Sequence, residues 1–160
     1  MKTIIDLANG NATLLRKMLG DVPPADLCKQ PNGIVNHAAW QTGHITFVRS
    51  PMIGMLGGTP TVPESWAPLF APGTEPTSDA SKYPAKAELL SAYERTHETL
   101  MCALAAAPDS LLDGSHPVEP LKWLFPTMRT LVTGVVTTHD CMHLGQFSVW
   151  RRQMGLPRVI

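Results

Sequence analysis

With 160 residues, 44% apolar and 16% charged, residues 1–160 read as one globular domain that can bury a core without disulfides or structural metal. Lysine plus arginine and aspartate plus glutamate balance at 13 each, and no basic block stands out, which excludes nucleic acid and an anionic membrane surface as expected partners. Cys28, Cys102 and Cys141 are scattered with no CxxC pair, no window approaches the roughly 18 apolar residues of a membrane span, and Asp6, Asn9 and Asn11 interrupt any signal core, so the expected location is the cytoplasm.

From Thr3 to about Gly20, Ile4, Leu7, Ala8, Leu14, Leu15, Met18 and Leu19 recur at helical intervals and predict a first helix. Asp21 to Asn32 holds three prolines and reads as a connection, with Asn32 as the expected cap of a second helix over 33–56. The inner stripe of that helix is His37, Gln41, His44 and Val48, with Trp40 beside it and Pro51 as a point where it kinks or ends early. Residues 57–84 carry six prolines and no sustained period, as expected of a functional loop or a crossover, pinned by Trp66, Leu69 and Phe70. A third helix follows, with Pro84 near its first turn and Leu90, Tyr93, His97, Leu100 and Leu104 on its apolar stripe. After an irregular stretch over 107–126, a fourth helix runs from about Thr127 to Met154, stopped by Gly155 and Pro157. Four such helices without a convincing strand or repeat predict an all-α bundle; the alternative is a short hairpin within 57–84 or 107–126.

The chemistry concentrates in the fourth helix. His139 and His143 are four residues apart, which stacks both imidazoles on one helix face, one turn apart. His44 lies at the middle of the second helix, so side-by-side packing brings three imidazoles to one depth, a donor set that binds a divalent ion and leaves a position open. The bland reading is three hydrogen-bonded core histidines. Against it, Gln146 continues the polar run on a stripe between Val132, Val136 and Trp150, and burying such groups is costly unless something satisfies them. His37 lies about 10 Å from His44 along the axis and reads as a core or rim residue. His97 could serve as a fourth ligand, a partner of a ligand or a substrate contact. His116, beside Pro117, reads as solvated, Cys141 as pointing away from the metal, and Met142 as a flanking core residue. His139-Asp140-x-x-His143 is similar to the HExxH of zinc proteases, but Asp is a methylene shorter than Glu and the 17 residues after His143 contain no His, Asp or Glu to complete such a site. Asp140 is therefore expected at the edge of the site, orienting a ligand or pairing with a neighbour.

Two segments resemble a known family. Asn36-His37-Ala38-Ala39-Trp40-Gln41-Thr42-Gly43-His44-Ile45 resembles the W-x-x-G-H segment of the DinB/YfiT-like metalloenzymes. His139-Asp140-Cys141-Met142-His143-Leu144-Gly145-Gln146, followed by Arg151, Arg152 and Gly155, resembles their H-E-x-x-H-x-G-Q…R-x-x-G segment, with Asp140 where Glu is commoner. Trp66 to Phe70 and Tyr83-Pro84 fit as well, so the resemblance spans nearly the whole chain. It implies an up-down-down-up four-helix bundle with a long crossover between helices 2 and 3. It also implies a divalent metal, nickel, zinc or iron, on His44, His139 and His143, and a homodimer. Branches of the family include thiol S-transferases that use bacillithiol or glutathione, and a mycothiol-dependent maleylpyruvate isomerase.

The expected function is therefore thiol S-transferase-like or hydrolase-like chemistry on a small electrophile, with a low-molecular-weight thiol as possible cosubstrate. The metal would activate a thiol or water, the Trp66–Phe70 loop would cover the substrate, and Gln146 and Asp140 would be the catalytic side chains. Affinity order alone does not choose among zinc, nickel, iron and copper. The alternatives are a non-catalytic metal- or small-molecule-binding stress-response protein, and a structural bundle. Arg151 and Arg152 read as cations favoured by a helix C-terminus, and the eight methionines as core filler.

Overall fold

A computed structural model describes residues 1–160 and contains helices and irregular chain but no strand. The hairpin alternative therefore falls away. The long rods are α1 (Lys2–Gly20), α2 (Ala38–Met55) and α4 (Lys86–Ala106), with a fourth made of α6 (Met128–Gly134), one π-helical stretch (Val135–His139) and α7 (Asp140–Gln153). Two short helices, α3 (Ala67–Phe70) and α5 (Asp109–Leu112), lie in the connections.

Contact registers give the direction of each rod. Along α2 and α4, Arg49 meets His97 while Met52 and Ile53 share a cluster with Leu100 and Leu104, so both numbers rise together and the rods run parallel. Asn11 meets Val136 and Asp21 meets Arg151, so α1 runs parallel to α7. His44 meets His139 and Gln41 meets His143, so α2 runs against α7. The arrangement is up-down-down-up, and the 57–84 crossover is what allows consecutive rods α2 and α4 to point the same way.

Two apolar clusters fill the bundle. One holds Leu15, Trp40, Ile45, Phe70, Tyr93, Phe147 and Trp150; the other holds Met52, Ile53, Leu100, Leu131 and Val136. Between them lies a polar layer of buried His44, Arg49, His97, Asp140 and His143. The central rod is α2, with 13 of its 18 residues buried, so its polar side chains must find partners inside the protein.

Several local expectations change. The second helix begins at Ala38 rather than near Gly33. Asn32 sits in the left-handed region at φ 51°, and His37 caps the helix instead, its Nδ1 accepting from the Trp40 amide at 3.2 Å. Pro51 is exposed and the helix continues past it to Met55. His116 is buried, not solvated: its Nε2–H donates to the Phe125 carbonyl and its Nδ1 accepts from the Val118 amide. Met142 is exposed rather than core. Arg151 is buried and does more than complement a helix end; it forks onto the Asp21 carboxylate and donates to the Met18 and Pro157 carbonyls. The helix stop is as expected: Gly155 at φ 70° lets Leu156 donate to Arg151 and Gly155 to Arg152.

Candidate metal centre

His44, His139 and His143 converge. One ring nitrogen from each lies within 4.8 Å of the others. The ring centroids are 5.2 Å apart for His44 and His139, 4.7 Å for His44 and His143, and 4.5 Å for His139 and His143. The nearest pair, His44 Nε2 and His139 Nε2, is 3.2 Å apart. Nitrogens bound tetrahedrally to one ion by bonds of 2.0–2.1 Å sit about 3.4 Å apart, so this spacing is already that of shared ligands.

Neighbouring groups fix the tautomers of two rings. His44 Nδ1–H donates to the Phe70 carbonyl at 2.7 Å, which leaves its Nε2 with a lone pair. His143 Nδ1–H donates to Gln41 Oε1 at 2.8 Å, with the same result. Trp40 stacks on His44 with ring centroids 4.5 Å apart and planes 11° apart. Burial, aided by the charge of the neighbouring histidines, holds His44 down at about 4 and His143 at about 3. Both rings are therefore neutral at pH 7, the state in which imidazole binds metal.

The Phe70 contact explains the glycine before His44. A Cβ on Gly43 would lie 2.1 Å from the Phe70 ring. Only glycine lets α3 press against α2 closely enough for the Phe70 carbonyl to reach His44. The 57–84 segment thus packs Trp66 and Phe70 into the core and aims the His44 ring. Neither Trp66 nor Phe70 lines the two cavities described below.

His139 is different. Its Nδ1 is buried and has no partner, and Asp140 Oδ1, which also has none, lies 3.9 Å away. The other Asp140 oxygen is taken by Arg49, a fully buried guanidinium that also donates to His97 Nδ1 at 2.8 Å. His97 passes its Nε2–H to Asn9 Oδ1 at 2.9 Å. His97 is held at about 4 by burial and by Arg49. It is thus tied to Arg49 and Asn9 rather than to the three clustered histidines.

Gln146 lies outside the imidazole cluster. Its Oε1 accepts from Asn36 at 2.9 Å and from Gln41 at 3.4 Å, so it connects to His143 through Gln41. It lines a small cleft of about 250 Å³ with Ile34, Val35, Asn36, Gln41 and Val149. A larger groove of about 630 Å³ runs between α1, α7 and the chain end, and Cys141 faces it with Sγ 3.6 Å from Asn11 Oδ1, away from the histidines.

Sequence reasoning missed Arg49 and Asn9. A signal for the first was present: Arg49 is the one charged residue of α2, and Asp140 the one acid between Met128 and Gln153. Two lone opposite charges on adjacent inward-facing rods pair.

The donors suit a divalent ion. Two rings offer fixed lone pairs at hydrogen-bond distance or slightly beyond, and the third carries an orphaned buried nitrogen. An up-down-down-up helical bundle with three inward histidines at one level is an architecture that could hold a metal ion. A family profile described as the DinB superfamily matches residues 9–147, and the chain belongs to that superfamily. No curated protein and no solved structure matches it. No helix is long and apolar enough to cross a membrane.

Proposed function

We propose that this chain is a metal-dependent enzyme acting on a small electrophilic molecule, with one nickel, zinc or iron ion on His44, His139 and His143. The observation that carries the reading is the convergence of three imidazoles of which two are locked, neutral, with Nε2 turned inward. An ion there supplies a Lewis acid that lowers the pKa of a thiol or a water, which supports S-transferase-like or hydrolase-like chemistry with a low-molecular-weight thiol as cosubstrate.

The chain's own residues orient and shield. Phe70 and Gln41 hold two ligand rings in place, and Trp40 covers one face of His44 against water. His139, 23% exposed at its side chain, marks the side from which a substrate approaches. Gln146 lines the cleft beside Gln41 and would offer its amide to a substrate oxygen there. Asp140 has one oxygen on Arg49 and is buried, so its part is to orient His139 rather than to accept a proton from substrate.

Free Cys28, Cys102 and Cys141 suit a reducing cytoplasm. Exposed Met142 and Val149 on α7 suit burial in a homodimer. The test is metal analysis of purified protein beside His44→Ala and His143→Ala, followed by a panel of electrophiles with bacillithiol, glutathione and water. About one ion per chain, lost in both variants, with metal-dependent turnover, is the expected result. Equal metal in all three proteins would end the reading.

A second reading, a non-catalytic metal- or small-molecule-binding stress-response protein, is favoured by one observation: neither described cavity contains a histidine of the cluster. It expects the same metal content and no conjugation or hydrolysis across the panel.

A further inference from the structure

We infer that Arg49 is a positioning residue for the metal centre, holding Asp140 so that its second carboxylate oxygen receives the Nδ1–H of His139. The inference rests on the three-histidine metal reading and assigns a role to a residue that reading does not use.

Each ligand ring needs an acceptor for the nitrogen that does not bind metal, because that bond sets the tautomer and the ring's orientation. His44 has the Phe70 carbonyl and His143 has Gln41 Oε1. His139 has neither; Asp140 Oδ1 lies 3.9 Å from its buried Nδ1 and is also unpartnered. Two orphaned, complementary atoms facing each other form a hydrogen bond once the ring shifts by about 1 Å toward the usual 2.7–2.9 Å spacing of such charged pairs.

Arg49 makes Asp140 a fixed acceptor. It is wholly buried, bonds Asp140 Oδ2, and is itself braced by His97 and by the face of Tyr93, with its guanidinium carbon 5.2 Å from the ring centroid. His97 in turn is braced by Asn9 on α1. A planar fork suits this geometry, since two of its donors meet different partners at fixed angles. With Oδ2 pinned, Oδ1 is left facing the histidine. The relay Asn9–His97–Arg49–Asp140–His139 draws one residue from α1, one from α4, one from α2 and two from the fourth rod, so all four rods set the orientation of one ligand.

The test uses the full chain loaded with cobalt(II) and observed by proton NMR in water. A cobalt-bound imidazole shows its exchangeable N–H as a strongly shifted line when a hydrogen bond protects it from solvent. Wild type is expected to show three such lines. Arg49→Gln is expected to keep two and lose or broaden the third, with cobalt affinity reduced about 10- to 100-fold. The double variant Arg49→Met/Asp140→Leu removes both charges from the interior and keeps the test available if the single variant fails to fold. It is expected to show the same two lines. A merely structural role for Arg49 would weaken all three lines together. Three unchanged lines in either variant, or only two in wild type, would overturn the inference while leaving the metal reading intact. Failure of wild type to bind cobalt would overturn both.

Discussion

The six histidines sort by what their second nitrogen does. His37, His97 and His116 each accept with Nδ1 and donate with Nε2, and so act as structural bridges. His44 and His143 donate with Nδ1 and keep Nε2 for the site. This division gives a pH prediction for the metal-free protein. Burial holds His37, His44 and His97 at about 4 and His143 at about 3, against an ordinary 6.5. As pH falls below 6.5, the unfolded chain takes up protons that the folded chain refuses. Stability therefore declines between about pH 6.5 and 4, by up to about 1.4 kcal/mol per pH unit for each such histidine. Thermal melts of chelator-treated protein from pH 7.5 to 4.5 check this; a flat melting temperature over that range would contradict it. At this scale much was legible. The four-residue spacing of His139 and His143 and the central place of His44 marked the cluster before any fold was known. Asn9 was not legible, because its partner His97 lies 88 positions away, and neither residue stands in a pattern that would point to the other.

Among the elements, the fourth rod departs most from an ideal helix. The π-helical stretch Val135–His139 ends on the first of the paired ligands. Such widenings free a carbonyl from the helix ladder and recur at functional sites. Here the Asn11 side-chain amide donates to the Val136 carbonyl at 3.1 Å, so α1 is hydrogen-bonded to the widened turn. Hydrophobic periodicity predicted this rod as one uninterrupted helix because inserting one residue per turn barely disturbs a pattern read over a few turns. The start of α2 was misplaced for a related reason: Asn32 is a usual capping residue, whereas His37 caps only because Thr77, from the distant crossover, accepts its other nitrogen at 3.1 Å. The α2–α3 contact makes a sharper prediction. Gly43→Ala forces the Phe70 ring aside, costing about 1–3 kcal/mol in an overpacked core. It also moves the Phe70 carbonyl from His44, so metal affinity falls together with stability. A chemical-denaturation curve and a chelator competition on the same variant check both; an unchanged affinity would show that the carbonyl does not aim the ring.

Across the whole molecule, two apolar clusters sandwich a polar layer to which α2, α4 and the fourth rod contribute. The layer explains why so lightly charged a chain places an arginine, an aspartate and several histidines inside. Paired charges of this kind stabilise little by themselves, yet removing one partner is strongly destabilising. An ion on the three histidines would tie the fourth rod to α2, and it would bind only in the folded state. At a free metal concentration a thousandfold above Kd it adds about 4 kcal/mol. Chelation is thus expected to lower the melting temperature of wild type and leave that of His44→Ala unchanged. An equal drop in both would point to an ion bound elsewhere. The bundle and its topology were legible from four helical runs and two motifs. The crossover's contribution was not, since a proline-rich stretch without period shows where it is anchored but not which carbonyl it presents.

The most direct test is an anomalous difference map from crystals of the purified protein, with data collected at the iron, nickel and zinc absorption edges. The expected result is one peak within about 2.0–2.3 Å of Nε2 of His44, His139 and His143. A map with no peak between those rings, in protein that binds the metal in solution, would contradict the account.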